Sequence, residues 1–390
     1  MRVAVVHDWL YVIGGAERVL KGILRCYPQA DVHCLFDLLP PADRRKIGYE
    51  VSKTSFLQKM PGIRHHQFYL PLMPIAIEQT DLRNYDLIIS SSYAVAKGII
   101  TGPDQLHVSY VHSPMRYAWD LQQTYLKEAR LEKGIQSVFV RVLMHWMRIW
   151  DQRTVNGVDA YIANSRFVAR RIHKLYGRDA EVINPPVTVP TTFVPRNKER
   201  FFLTASRLVP YKNTRALVEA FRFLPDEKLV VVGSGPELPS LKAIAGSNVQ
   251  FLGFVEDSEL RDLMQAARAF LFGAQEDFGI VVVEAQAQGT PIIALGKGGA
   301  RETVIAEGPT PTGLFFDEAD PAQVAVAVNR FIQAEANFLP VNCHRNALRF
   351  SEDRFDRAFK SYVDNCWEKF EASLASPAPS MVPQIVASRN

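Results

Sequence analysis

Residues 275–291 read Gln275-Glu276-Asp277-Phe278-Gly279-Ile280-Val281-Val282-Val283-Glu284-Ala285-Gln286-Ala287-Gln288-Gly289-Thr290-Pro291, and their pattern decides the fold. The apolar run Ala269–Phe272 before them reads as a strand covered on both faces. Glu276 then falls on a loop, Gly279 opens a helix, and Glu284 lies inside that helix. Gly289-Thr290-Pro291 ends the helix and leads into a second apolar run, Pro291–Ala294. Strand, loop, helix and strand make one unit of a parallel β-α sheet, whose strand-end loops face a ligand cleft. Glu276 and Glu284 therefore address that cleft from two levels, beside the free N–H groups of the loop and of the helix start. Carboxylates accept hydrogen bonds from hydroxyls, and free N–H groups meet anionic or carbonyl oxygen, so the arrangement suits a polyhydroxylated ligand.

Working outward, the same unit repeats. In the second half, apolar runs at Phe201–Ala205, Lys228–Val232, Val249–Leu252 and Gly313–Phe316 each precede a segment of helical period. In the first half the strands are Val3–His7, Asp31–Phe36, Asp86–Ser90, His107–Val111, Ala160–Ala163 and Glu181–Ile183. Helices are expected at about Gly15–Cys26, Tyr117–Leu126, Ile135–Asn156 and Arg166–Tyr176. The chain of 390 residues thus predicts an α/β protein with two doubly wound parallel-sheet domains, residues 1–190 and 196–354, facing across a cleft. The connector Asn184-Pro185-Pro186-Val187-Thr188-Val189-Pro190 is stiffened by its prolines. Phe355, Phe359, Tyr362, Val363, Cys366, Trp367 and Phe370 share one face of a last helix, about 355–371, which must bury them. Residues 372–390, with Ser-Pro-Ala-Pro-Ser, read as a disordered tail.

At 47% hydrophobic and 22% charged, the chain is neither largely disordered, nor collagen-like, nor a small disulfide scaffold. It has no uninterrupted apolar run long enough to span a bilayer, and its first residues lack the features of a signal peptide. Cys26, Cys34, Cys343 and Cys366 form no C-x-x-C pair and read as reduced thiols, which points to a cytoplasmic protein. The net charge of +4 is unevenly spread: residues 1–200 hold 27 Lys+Arg against 18 Asp+Glu. A basic first half suggests a phosphate-bearing or membrane-surface partner. Nucleic acid is not expected, because no basic run is interleaved with aromatics and no zinc-finger or helix-turn-helix pattern occurs.

Three further stretches carry chemistry. Ser206-Arg207-Leu208-Val209-Pro210-Tyr211-Lys212-Asn213 places Arg207 and Lys212 on the loop where such folds hold phosphates. Gly14-Gly15 at a helix start lets backbone approach a diphosphate. His112, in Tyr110-Val111-His112-Ser113-Pro114-Met115-Arg116-Tyr117, sits at a strand end, and Ser113-Pro114 is expected to open the next helix. Taken alone, an Arg and a Lys on a loop are usually just solvated, and the paired glycines and His112 fit a tight turn and a packed histidine equally well. Gly233-Ser234-Gly235-Pro236 starts a dinucleotide fingerprint but has Leu238 at its third glycine position. There is no Walker loop, no H-E-x-x-H and no Asp-x-Asp with which to hold a metal-bound diphosphate.

Taken together, Glu276 and Glu284 in E-D-F-G…E-A-Q-A-Q-G-T-P, Ser206-Arg207…Lys212, Gly14-Gly15-Ala16-Glu17-Arg18 and His112-Ser113-Pro114 resemble the retaining family-4 glycosyltransferases, over about residues 1–370. The version here, including Ser90-Ser91-Ser92-Tyr93-Ala94-Val95-Ala96-Lys97-Gly98, is similar to transferases of bacterial exopolysaccharide and O-antigen assembly. The resemblance implies a GT-B fold and a metal-independent hexosyltransferase without a cofactor, with a nucleotide-diphosphate sugar as donor. GDP-mannose is the expected donor, and a glycan or polyprenyl-diphosphate-linked oligosaccharide the expected acceptor. It implies that Arg207 and Lys212 hold the donor diphosphate and that Gly14 and Gly15 close on it. Glu284 is placed at the ribose, and Glu276, with the turn Asp277, Phe278, Gly279 and Ile280, at the transferred sugar. His112 is placed at the sugar 6-hydroxyl near the reaction centre, Gly253, Phe254 and Val255 near the base, and the last helix back on the first domain. Asp277 stands where many relatives carry glycine. A UDP-sugar transferase of the same fold, a non-hydrolysing sugar-nucleotide epimerase and a non-catalytic scaffold are the competing readings. Retention in the family proceeds by same-face attack, with the leaving phosphate taking the acceptor proton.

Two segments bear on localisation. Lys53–Leu70 mixes bases with large apolar groups and is expected to touch an anionic membrane at the inner face of the plasma membrane. Ile135–Trp150, apolar on most faces with a narrow stripe of Arg141, His145 and Arg148, is expected to be a buried core helix.

Overall fold

Thirteen short strands form two parallel sheets in the computed structural model, which describes residues 1–129 and 131–375. In the first sheet β1 (Val3–His7), β2 (Asp31–Cys34), β3 (Ser52–Thr54), β4 (Leu87–Ser92), β5 (Leu106–Val111), β6 (Ala160–Ala163) and β7 (Glu181–Val182) lie in the order β3-β2-β1-β4-β5-β6-β7. In the second, β8 (Phe202–Ala205), β9 (Leu229–Val232), β10 (Val249–Gly253), β11 (Ala269–Phe272), β12 (Ile292–Leu295) and β13 (Gly313–Phe316) run β10-β9-β8-β11-β12-β13. Every residue of β1, β4 and β5 is buried, as the continuous apolar runs require when helices cover both faces. The winding direction reverses between β1 and β4 and again between β8 and β11, so each sheet opens a crevice at its strand ends there.

The first crevice is pinned by Asp8, just after β1. Its buried carboxylate accepts N–H bonds from Tyr93, Ala94, Val95 and Ala96, at 2.6 to 3.0 Å, and so holds the β4 exit loop. The helix Glu352–Ala375 packs Phe355, Phe359 and Val363 into the core of the first sheet, against Tyr110 and the helix Gly15–Cys26. It continues through residues 372–375, where a tail was expected; the rest of that tail lies outside the described residues.

Three local expectations change. β3 was not anticipated: Ser52–Thr54 is a short polar edge strand that overlaps the start of Lys53–Leu70. The helix expected from Tyr117 begins only at Gln122, so Ser113-Pro114 opens a run of turns. Those turns are held by side chains from elsewhere: Trp119 Nε1 donates to Asp151, and Arg148 donates to the Ala118 carbonyl. The helix Ile135–Arg153 is not a buried core helix. Only Ser137, Met144, Met147, Trp150 and Asp151 are buried, while Ile135 is 87% and Phe139 68% exposed. An apolar sequence does not say which of two apolar faces meets the core; the sheet chose the face carrying Met144, Met147 and Trp150.

Candidate active site

A cleft of about 640 Å³ separates the strand ends of the two sheets. From the first sheet it is lined by Gly15, Glu17, His112, Arg116 and Tyr125, and from the second by Lys212, Glu276, Asp277, Gly279 and Ile280, among others.

The Glu276 loop follows β11 and is built by close backbone packing. Gly279 caps the helix Ile280–Ala287 at φ +81°, a left-handed conformation that glycine adopts without penalty. Beneath the loop, Gly299 N–H donates to the Glu276 carbonyl at 2.8 Å, and a Cβ on Gly299 would lie 2.4 Å from Phe278 Cα. The Phe278 ring turns away from the cleft into a cluster with Val187, Val283 and Phe350, which leaves its backbone at the cleft wall. Lys212 ends a short turn after β8, and Asn213 (φ +55°) folds that turn onto β11 through an Nδ2 bond to the Gly273 carbonyl at 2.9 Å. Burial, and then the Arg116 charge, push the Lys212 ammonium down to about 8. The Glu276 carboxylate it touches acts in the opposite sense.

The first domain answers with the Gly14–Gly15 turn. Glu17 Oε2 accepts from Gly14 N–H at 2.8 Å, which caps the helix Gly15–Cys26. A Cβ on Gly15 would lie 3.1 Å from Ile280 Cδ1, so the two helix starts nearly touch across the cleft. Behind the turn, a chain of polar groups runs to His112. Glu17 Oε1 is 3.5 Å from His7 Nε2, His7 Nδ1 is 3.0 Å from Ser91 Oγ, and Ser91 Oγ is 2.8 Å from His112 Nε2. Ser91 Oγ thus joins the two imidazoles, while His7 Nε2, buried and without a hydrogen-bond partner, lies beside the Glu17 carboxylate. Burial, with a smaller contribution from His7, pushes the His112 imidazole down to about 3, so the ring is neutral near pH 7.

Ion pairs span the cleft. Arg18 of the first domain pairs with Glu284 of the second. Arg116 and Arg171 hold the two carboxylate oxygens of Asp277, Arg171 Nη1 at 3.1 Å, and Ser165 Oγ donates to the Asp277 carbonyl at 2.6 Å. Glu302 accepts the N–H groups of Arg166 and Phe167, both at 2.8 Å, at the start of the helix Arg166–Tyr176.

The cleft thus gathers His112, Lys212, Glu276, Asp277, Phe278, Gly279, Ile280 and Gly15, with Gly14 adjacent. Glu284 stands just beyond its wall, against Arg18, and Arg207 is exposed and outside the lining. Gly253, Phe254 and Val255 also lie outside it, Phe254 being exposed at the end of β10. Sequence reading assigned no role to Glu17, Arg18, His7, Ser91, Arg116 or Arg171. Glu17, Arg18 and Arg116 stood inside quoted motifs, but nothing local showed that their partners lie in another domain or on another strand. Among the described residues, no cluster of His, Cys, Asp and Glu is placed to hold a metal.

Residues 13–189 match the model of Glycosyltransferase Family 4, and residues 192–349 that of Glycosyl transferases group 1. The chain belongs to this glycosyltransferase family. It is 39% identical over 131 residues to a GDP-mannose-dependent monoacylated alpha-(1-6)-phosphatidylinositol monomannoside mannosyltransferase of Corynebacterium glutamicum, covering 30% of this chain and 33% of that one. It is 31% identical over 204 residues to a D-inositol 3-phosphate glycosyltransferase of Xylanimonas cellulosilytica, covering 44% and 48%. The matched part spans between a third and about half of the length of these curated relatives. Anabaena HepE, solved with UDP-glucose, superposes with a TM-score of 0.68 at 20% identity over 94% of this chain and 100% of that one. Sucrose-phosphate synthase of Thermosynechococcus elongatus gives 0.69 at 16% identity over 95% and 100%. At these identities the likeness concerns the fold, which is GT-B.

Proposed function

We propose that the protein is a retaining, metal-independent hexosyltransferase that moves mannose from GDP-mannose onto a glycan or polyprenyl-diphosphate-linked oligosaccharide in bacterial surface polysaccharide synthesis, working at the inner face of the membrane. The observation that carries the reading is the self-paired cleft: Lys212 rests on Glu276, and Arg18 rests on Glu284. A nucleotide-diphosphate sugar offers each of these groups a replacement partner. The diphosphate takes Lys212, sugar hydroxyls take Glu276, and ribose hydroxyls take Glu284.

As the sugar–phosphate bond breaks, negative charge grows on the diphosphate, and fixed positive groups stabilise that charge more in the transition state than in the ground state. Lys212, Arg116 and the starts of the helices Gly15–Cys26 and Ile280–Ala287 converge there. His112, neutral near pH 7, orients a sugar hydroxyl and is not a source of protons. The acceptor hydroxyl attacks from the face the phosphate leaves, and the leaving phosphate takes its proton.

GDP-mannose use by the curated relatives supports the donor; the UDP and UDP-glucose complexes of HepE support the rival reading, a UDP-sugar transferase. A turnover and thermal-shift screen with EDTA present separates them, using GDP-mannose, GDP-fucose, UDP-glucose, UDP-galactose and UDP-N-acetylglucosamine. Selective stabilisation and turnover with GDP-mannose is the expected result. A response to UDP-sugars alone discards the mannosyl assignment, and loss of all turnover in EDTA discards metal independence. Donor conversion without an acceptor to an epimeric sugar nucleotide favours the epimerase.

A further inference from the structure

On the helix Ile135–Arg153, the side chains of Ile135, Val138, Phe139, Val142, Trp146 and Ile149 are all exposed. At about 100° per residue they fall within an arc of roughly 100°, and they form a ridge about 21 Å long. The opposite face holds Met144, Met147 and Trp150 in the core beneath the first sheet, so the ridge is not spare core. A contiguous ridge of this size on a folded domain marks an interaction surface.

The charges beside it say what it meets. Arg141 and Arg148 flank one edge, and their hydrogen bonds go to Ser137, Gln123, Gln122 and the Ala118 carbonyl; among the described residues neither meets a carboxylate. Asp151, the one acidic residue of this helix, is fully buried against Lys97. The surface therefore combines apolar side chains, a tryptophan and unneutralised guanidinium groups. A second copy of the chain would bring the same cationic flank to a twofold interface, and this helix offers it no exposed carboxylate. An anionic bilayer accepts a convex apolar ridge without shape matching and supplies phosphate to the guanidinium groups.

We infer that the exposed face of Ile135–Arg153 is the surface on which the protein lies in the interface of an anionic membrane. The preceding helix, Gln122–Glu128, carries Tyr125 into the cleft wall, so docking here brings the cleft toward the lipid surface. The inference rests on the peripheral-membrane part of the proposed function and moves the contact from the segment Lys53–Leu70 to this helix. In that segment Leu57 is buried, Met60, Ile63, Tyr69 and Leu70 pack on the core, and Phe68 at 83% is the most exposed large side chain.

The test is co-sedimentation of the full chain with vesicles of equal parts phosphatidylglycerol and phosphatidylcholine, and with phosphatidylcholine alone. It compares the wild type with the double variant Phe139→Ser/Val142→Ser and with Phe68→Ser. All three replaced positions are exposed, and unchanged donor turnover and melting confirm folded protein. The wild type should be monomeric and bind the anionic vesicles at low salt, with weaker binding at high salt. The double variant should partition at least tenfold less, and Phe68→Ser should bind as the wild type does. If Phe68→Ser is released while the double variant still binds, this face is wrong but the peripheral reading stands. If the wild type ignores anionic vesicles, both fail. A wild-type dimer that the double variant splits overturns the inference in favour of self-association.

Discussion

Asp277→Asn probes how the two domains are held together. Asp277 belongs to the second domain, is 8% exposed, and has both oxygens engaged by Arg116 and Arg171 of the first. An amide can accept from one guanidinium, but its NH2 group then faces the other. Removing one member of a buried charge pair costs about 2–5 kcal/mol, mostly because the remaining charge stays desolvated. Arg171 keeps Asp120 and Ser113, and the Glu302 cap is untouched, which argues for the lower part of that range, about 2–3 kcal/mol. The cost falls on the closed arrangement alone, because water solvates both arginines when the domains part. At 1.4 kcal/mol per factor of ten, donor kcat/KM should drop by about 30–150-fold. Small-angle scattering of the ligand-free variant should show a larger radius of gyration, with little loss in melting temperature. The double variant with Arg116→Met should lose much less than the product of the two single effects. If Asp277 only touched the sugar, kinetics would suffer while the ligand-free radius stayed at the wild-type value; that result refutes the clasp.

Ser91→Ala cuts the path from Glu17 and His7 to His112 without emptying the site. It should lower kcat more than it raises donor KM, by about tenfold, a loss of one positioning hydrogen bond; Ser91→Thr should recover part, and equal kinetics for Ser91→Ala would remove the chain from the mechanism. Lys97→Met leaves the Asp151 carboxylate buried without its cation and should cost about 3–5 kcal/mol in urea unfolding, while activity per folded molecule stays near normal; a loss below about 1 kcal/mol contradicts the pairing. His33 and His107 are pushed by burial down to about 4, and His112 to about 3, from the ordinary 6.5. Their folded-state values are depressed, so below 6.5 the unfolded chain takes up protons that the folded chain refuses. The histidine contribution to stability should be level above pH 7 and fall as the pH drops from 6.5 toward 4, by up to about 1.4 kcal/mol per histidine per pH unit. A urea midpoint that does not move between pH 7 and 5 contradicts this. Gly299→Ala should displace the Glu276 loop and abolish turnover, whereas Gly157→Ala, whose Cβ would lie no nearer than 4.0 Å to any neighbouring atom, should leave turnover unchanged.

How much of this was legible in the chain differs from element to element. The strand-loop-helix unit at Ala269–Ala287 was readable because its information is local: an apolar run of strand length, a glycine where the helix begins, and carboxylates placed by the period of the helix. The same holds for the alternation that builds both sheets and for the Gly14–Gly15 turn. The polar edge strand Ser52–Thr54 was not readable, since its neighbour β2, and not its own composition, makes it a strand. The roles of Glu17, Arg116 and Arg171 were not readable either. A charged residue reads as solvated until its partner is known, and their partners, His7 and Asp277, are brought to them by sheet winding and by domain closure. By itself the sequence determined the two sheets, their ligand-facing ends and the residue types offered there, because burial and backbone period are properties of neighbouring residues. Only the tertiary structure decided which cation meets which carboxylate, which nitrogen of His112 meets Ser91, and which face of Ile135–Arg153 stays outside. Those outcomes depend on distances between segments far apart in the chain, which local pattern does not encode.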